Sequence, residues 1–132
     1  MDNTVMVNNA LEYIKQNFAR SDLTLAQIAD HAGFSIYYFD RLFLESTGYT
    51  VMDYVRRQRL VRAALLLKRT DMSVMDIALE VGFETGESFA KAFKRYFGKT
   101  PRDYRKDLSV NIDWSLGATG ISSNRLNRLD LG

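Results

Sequence analysis

Positive charge is concentrated in one half of this chain, on residues able to grip a polyanion. Arg56, Arg57, Arg59, Arg62, Lys91, Lys94, Arg95, Lys99, Arg102 and Arg105 all lie within residues 56–106. That segment holds thirteen Lys and Arg against six acids, a balance of +7. Residues 1–55 hold three against seven, −4, and residues 107–132 hold two against three, −1, which recovers the net +2 of the whole. A face for a polyanionic partner should therefore begin near residue 56 and run C-terminal.

Other chemistries find little support. The 132 residues include no Cys, which removes disulfides, thiolate metal sites and Cys nucleophiles and fits a reducing compartment. His31 is the only His and has no second ligand type nearby, so a cap or surface role is expected for it. No nucleophile stands with a base, no phosphate loop is present, and no carboxylate pair has a pocket around it. No enzyme activity, cofactor or metal is expected. No apolar run approaches the roughly 18 residues of a membrane helix, and the N-terminus lacks the pattern of a signal peptide. A cytoplasmic protein is the expectation.

The elements that would position the charges are helices. Val5, Leu11, Ile14 and Phe18 recur at helical spacing over residues 4–18, with Asn3 or Thr4 as a cap. Thr24-Leu-Ala-Gln27 is a capping box that opens a two-turn helix with Leu25, Ile28 and Ala29 inward. Gly33 ends it, and Ser35 caps a second helix with Phe39, Leu42 and Phe43 inward, ended by Gly48. Two short helices around a tight Gly-containing turn make a helix-turn-helix. Thr50 and Asp53 open a long helix over residues 51–69, with Tyr54, Val55, Leu60, Val61, Ala64, Leu65 and Leu67 on its apolar face.

The design then repeats. Ser73-Val-Met-Asp76 is a second capping start, and Val74, Ile77, Ala78, Gly82 and Phe83 match Leu25, Ile28, Ala29, Gly33 and Phe34 at an offset of 49. After the turn the offset is 50: Phe39, Phe43, Gly48 and Tyr54 recur as Phe89, Phe93, Gly98 and Tyr104. One residue has been inserted in the second turn, and the regular offset marks a duplication. Thr100-Pro101-Arg102-Asp103 starts the last helix, with Pro at the first helical position. Met6, Met52, Met72 and Met75 are expected to fill core.

The fold class expected is all-α, with two helix-turn-helix subdomains and about seven helices joined by a long central helix. Residues 1–106 form the domain, with units at 4–50 and 73–106 and the linker helix at 51–69. Residues 107–132 are a tail or the start of a following domain, with Val110, Ile112 and Trp114 alternating as in a short strand. A helix of 19 residues is about 28 Å long, and successive major grooves on one face of B-DNA lie about 34 Å apart. A spacer of this length suits two reading helices in adjacent grooves.

Ile77-Ala-Leu-Glu-Val-Gly-Phe83, then Phe89-Ala-Lys-Ala-Phe93, then Phe97-Gly-Lys-Thr-Pro-Arg-Asp-Tyr-Arg105 resembles the signature of the AraC/XylS family of bacterial transcription regulators. The resemblance covers roughly residues 4–106. It implies seven helices, two helix-turn-helix units and both reading helices in neighbouring major grooves of double-stranded promoter DNA. It implies activation more often than repression, frequently through RNA polymerase.

Carried over by position, the base-facing residues are Tyr37, Asp40 and Arg41 in the first unit, and Gly86, Glu87, Ala90 and Lys91 in the second, with Ser88 close by. Arg41 can bind guanine O6 and N7, Glu87 can accept from cytosine N4, and Lys91 can reach guanine or a phosphate. Tyr37 can stack on a sugar or touch a thymine methyl. Gly86 and Ala90 lack the polar reach usual there, Asp40 would repel phosphate unless paired, and Leu44 stands where the family usually has Lys or Arg. Backbone anchors are the amides after Ser35, Ser73 and Thr100 and the side chains of Arg57, Arg59, Lys94, Arg95 and Arg102. Family members usually carry a sensing or dimerising domain; without one, a monomer is expected, and the tail favours a fragment of a longer regulator. The acidic first half, with Asp40 and Leu44, keeps an alternative open: a protein-interaction module of the same fold that binds a transcription partner.

Overall fold

The computed structural model describes residues 3–109, and the expected strand at Val110, Ile112 and Trp114 lies outside them. The described residues form seven helices: α1 (Asn3–Asn17), α2 (Leu25–Ala32), α3 (Ile36–Thr47), α4 (Val51–Arg69), α5 (Val74–Glu80), α6 (Gly86–Phe97) and α7 (Pro101–Lys106). No described helix is long and apolar enough to cross a membrane. The chain divides into two compact units within α4, Met1–Gln58 and Arg59–Gly132.

Local chemistry sets the helix ends in the first unit. The Gln27 amide donates to Thr24 Oγ1 at 3.2 Å, and the Thr24 amide donates back to Gln27 Oε1 at 3.1 Å, so the capping box is complete. Gly33 turns left-handed at φ 82°, and the Phe34 amide reaches the Ala29 carbonyl at 3.1 Å, which closes the end of α2. Asn3 and Thr4 lie inside the first turn of α1 instead of preceding it.

The core of this unit gathers Met6, Ala10 and Ile14 of α1, Ile28 and Ala29 of α2, Phe39, Leu42 and Phe43 of α3, and Val51 and Val55 of α4. The buried stripe of α1 is rotated from the expected one: Val5 is exposed and Met6 buried. Small Ala10, one turn from each of Met6 and Ile14, lets the helix approach its neighbours closely on that stripe.

The second unit repeats the plan with more aromatic volume. Its core holds Leu60, Val61, Ala63, Ala64 and Leu67 of α4 with Ile77, Ala78, Val81, Phe89, Phe93, Phe97 and Tyr104. The Phe93 ring lies 4.6 Å from Phe97 and 5.2 Å, edge-on, from Tyr104. The first unit has the same edge-on pair, Phe43 with Tyr54 at 5.7 Å, but Thr47 in place of Phe97.

The duplication extends to the hydrogen bonds. Phe34 to Ala29 in the first turn is matched by Phe83 to Ala78 in the second, at an offset of 49. Phe39 to Ser35 is matched by Phe89 to Thr85, and Gly48 to Leu44 by Gly98 to Lys94, at an offset of 50. Phe34 is followed directly by Ser35, whereas Glu84 stands between Phe83 and Thr85, so Glu84 is the inserted residue.

The C-terminal ends of α4 and α7 cap each other. Arg105 donates from Nε to the Leu67 carbonyl at 3.0 Å and from Nη2 to the Thr70 carbonyl at 3.1 Å. Lys68 Nζ donates to the carbonyls of Arg105 at 3.3 Å and Asp107 at 2.6 Å. Leu67 and Arg105 lie in the last turns, whose carbonyls lack intrahelical partners, and Thr70 and Asp107 directly follow the two helices. Burial first, and the charge of Lys99 second, hold the Lys68 ammonium below its ordinary pKa. Lys99 itself pairs with Asp107. Arg105 therefore belongs to the frame and not to the free basic face expected for it.

Candidate nucleic-acid interface

Helices α3 and α6 are the second helices of the two motifs. Each buries one face, Phe39, Leu42 and Phe43 in α3 and Phe89, Phe93 and Phe97 in α6. The opposite faces carry the expected readers at matching places. Tyr37, 89 % exposed, and exposed Arg41 stand one turn apart on α3. Glu87 and Lys91 hold the corresponding places on α6 and pair at 3.2 Å. Both members of that pair are largely exposed, so exchanging it for bases and phosphates sacrifices at most about 1 kcal/mol. Exposed Lys94 and Arg95 fill the last turn of α6, where the helix dipole favours cations. Arg102 is exposed on α7, and Arg59 is half-buried on α4.

Four expected readers are differently employed. The Asp40 carboxylate accepts the Val51 amide at 2.9 Å and so caps α4 from α3. An Asp at this place is a structural acceptor for an N–H at the start of a buried helix, where an unmet donor costs about 1–3 kcal/mol. In the second unit the same two places hold Ala90 and Pro101, and proline has no amide hydrogen to satisfy. That paired substitution is the signal in the sequence that identifies the cap. Ala90 is half-buried and carries no polar group. Ser88 is exposed, but its hydroxyl accepts from Thr85 Oγ1 at 2.9 Å and donates to the Thr85 carbonyl at 3.0 Å. Gly86 presents no side chain, and Met75 of α5 lies over it: a Cβ there would stand 2.9 Å from Met75 Cε. Met75 is 54 % exposed, not core.

Arg57 also departs from expectation. It is 9 % exposed, with its guanidinium carbon 5.6 Å from the centroid of the Tyr49 ring. A cation held over an aromatic face with its stem covered is a packing group, so Arg57 is not an open phosphate arm. Charge and position in the sequence do not distinguish it from Arg56, which is exposed and pairs with Asp53 at 2.8 Å.

The three helix starts differ. Ser73 and Thr100 accept from the amides of Asp76, at 3.0 Å, and Asp103, at 3.1 Å, so both hydroxyls close their own helices. Ser35 occupies the cap position of α3 without a side-chain capping bond, which leaves first-turn amides of α3 for an outside acceptor. Elsewhere on the first unit, His31 stacks on Tyr13 with centroids 4.1 Å apart, beside a cleft of about 400 Å³ lined by Val5, Met6, Glu12 and Phe34.

A helix-turn-helix domain family matches residues 28–107. The transcriptional activator AarP of Providencia stuartii is 37% identical over 100 residues, 76% of this chain and 73% of AarP. An AraC-type DNA-binding domain of a Chromobacterium violaceum regulator superposes with a TM-score of 0.71 at 30% identity, covering 78% of this chain and 91% of that one. The DNA-binding domain of AdpA, solved with a target DNA, superposes with a TM-score of 0.72 at 26% identity, covering 76% of this chain and 89% of that one. Duplicated helix-turn-helix units, the match over residues 28–107 and these relatives together establish that the chain belongs to the AraC/XylS family of helix-turn-helix transcription regulators.

Proposed function

We propose that this regulator activates transcription by reading two successive major-groove segments of promoter DNA, one with α3 and one with α6. The observation that carries this reading is the paired placement of Tyr37 and Arg41 on α3 and Glu87 and Lys91 on α6, on the faces opposite the buried aromatics. Arg41 takes the two acceptors of a guanine, Glu87 accepts from a cytosine amine, and Lys91 reaches guanine or phosphate. Tyr37 packs on a sugar or a thymine methyl. Lys94, Arg95, Arg102 and Arg59 grip the backbone on the second side, and the α3 amides after Ser35 take a phosphate on the first. Residues 1–106 act as the DNA-binding domain, a monomer on its site, and RNA polymerase is the partner through which activation proceeds. AarP, named as an activator, supports the sign of regulation, and the AdpA complex supports the choice of double-stranded DNA.

The test begins with selection of sites from random double-stranded DNA, which should enrich one motif of about 20 base pairs. Arg41→Ala and Lys91→Ala should each weaken binding to that motif by about 1–3 kcal/mol and relax preference at one base position. Unchanged binding by both variants in a salt-controlled shift assay would overturn the assignment of readers. No enrichment at all would favour a protein partner over DNA.

A further inference from the structure

At the start of the reading helix, the two units place an apolar side chain by opposite means. In the first unit the opening residue of α3 is Ile36, 40 % exposed, and the preceding helix carries Ala26. In the second the opening residue of α6 is Gly86, and the position matching Ala26 is Met75. Large-then-small has become small-then-large. The Met75 thioether takes up the space in which a side chain at 86 would begin, its Cε 2.9 Å and its Sδ 3.2 Å from where that Cβ would stand.

Glycine is a poor choice for helix stability, and its φ here is not in the left-handed region. Backbone conformation does not demand it. What the missing side chain does is admit Met75. The N-terminal residues of the second helix are those that meet base edges in this motif. A group standing in for residue 86 therefore stands at a base edge, although it comes from the other helix. Its end is a methyl on a weakly accepting sulfur, with no donor. The feature of a base edge that complements such a group is the thymine 5-methyl.

We infer that Met75 is a specificity-determining residue, supplying from α5 the apolar contact that selects a thymine 5-methyl opposite the start of α6. This rests on the reading of α6 as a DNA-reading helix. Wild-type protein should bind its selected site about fourfold more weakly when one particular thymine in the α6 half is replaced by deoxyuridine, the loss expected for one buried methyl. Met75→Leu should keep that discrimination. Met75→Ala should bind the thymine and deoxyuridine sites alike, and its unfolding midpoint should stay well above the assay temperature because about half of the side chain is already exposed. Three results would overturn the inference: a selected motif with no invariant thymine in that half, indifference of the wild type to every deoxyuridine, or undiminished discrimination by Met75→Ala. Failure of the wild type to prefer the selected site over scrambled DNA would instead overturn the DNA reading on which the inference rests.

Discussion

In the first unit Asp40 accepts the Val51 amide; in the second the same places hold Ala90 and Pro101. In the first unit Ser35 makes no capping bond at the start of α3; in the second Thr85 accepts the Ser88 amide at 3.0 Å at the start of α6. Helix α3 carries Asp40 and Glu45 with a single cation, Arg41, whereas α6 carries Glu87 with Lys91, Lys94 and Arg95. One backbone plan is thus closed by different chemistry in its two copies. The copy with the larger aromatic core is also the one that carries Lys94, Arg95 and Arg102. In the less charged copy the helix-start hydroxyl meets none of the first-turn amides. On the proposed reading, the second unit holds DNA phosphates by side-chain charge and the first by the helix-start amides of α3.

The aromatic cores offer the widest break in this comparison. Phe93→Ala removes a fully buried ring that touches Phe89, Phe97 and Tyr104, and should cost about 3–5 kcal/mol in urea unfolding. Phe43→Ala, with fewer rings around it, should fall at the lower end of that range. Next comes the cap. Asp40→Ala should cost about 1–3 kcal/mol by stranding the Val51 amide. Adding Val51→Pro, the arrangement of the second unit, should return at least about 1 kcal/mol, measured as a double-mutant cycle. Additive losses would show that the second unit's arrangement does not transfer.

A smaller effect separates packing charge from binding charge. Arg57→Ala should lower stability by about 1–2 kcal/mol through weakened packing on Tyr49 and leave the salt dependence of DNA binding unchanged. Lys94→Ala or Arg95→Ala should do the reverse, each reducing the slope of log K against log salt by about 0.9 for every phosphate it ceases to neutralise. The smallest effect tests the helix starts. Thr85→Ala should cost about 1 kcal/mol. Ser35→Ala should cost close to nothing, because the wild-type hydroxyl makes no capping bond.

Much of this frame can be read along the chain. Thr24 with Gln27, Gly33, Gly48, Ser73 and Thr100 act within a few residues of themselves, so the helices they bound lie where spacing predicts them. The central helix runs over residues 51–69 as expected. The change of offset from 49 to 50 points to an insertion, and the matched turn bonds assign it to Glu84. Burial on α1 differs from expectation by one position because Val5 and Met6 are both apolar and lie next to each other. Periodicity alone does not choose between them when the neighbouring helix decides which one it covers.

The sequence by itself determined the helices, the caps at Thr24, Ser73 and Thr100, the duplication and the family, because those follow from short-range periodicity and from a local motif. Only the tertiary structure decided which polar groups were available for binding. Asp40 meets a backbone amide 11 residues away, and Arg105 meets carbonyls 38 and 35 residues away. Arg57 lies over Tyr49, and Met75 lies over Gly86. In the sequence Asp40, Arg57 and Arg105 could each pass for a surface group and Met75 for core, and each is placed by a neighbour that only folding brings near. A hydrogen-bonding group is free to bind DNA only after the fold has met its own needs. That accounting closes in three dimensions and not along the chain.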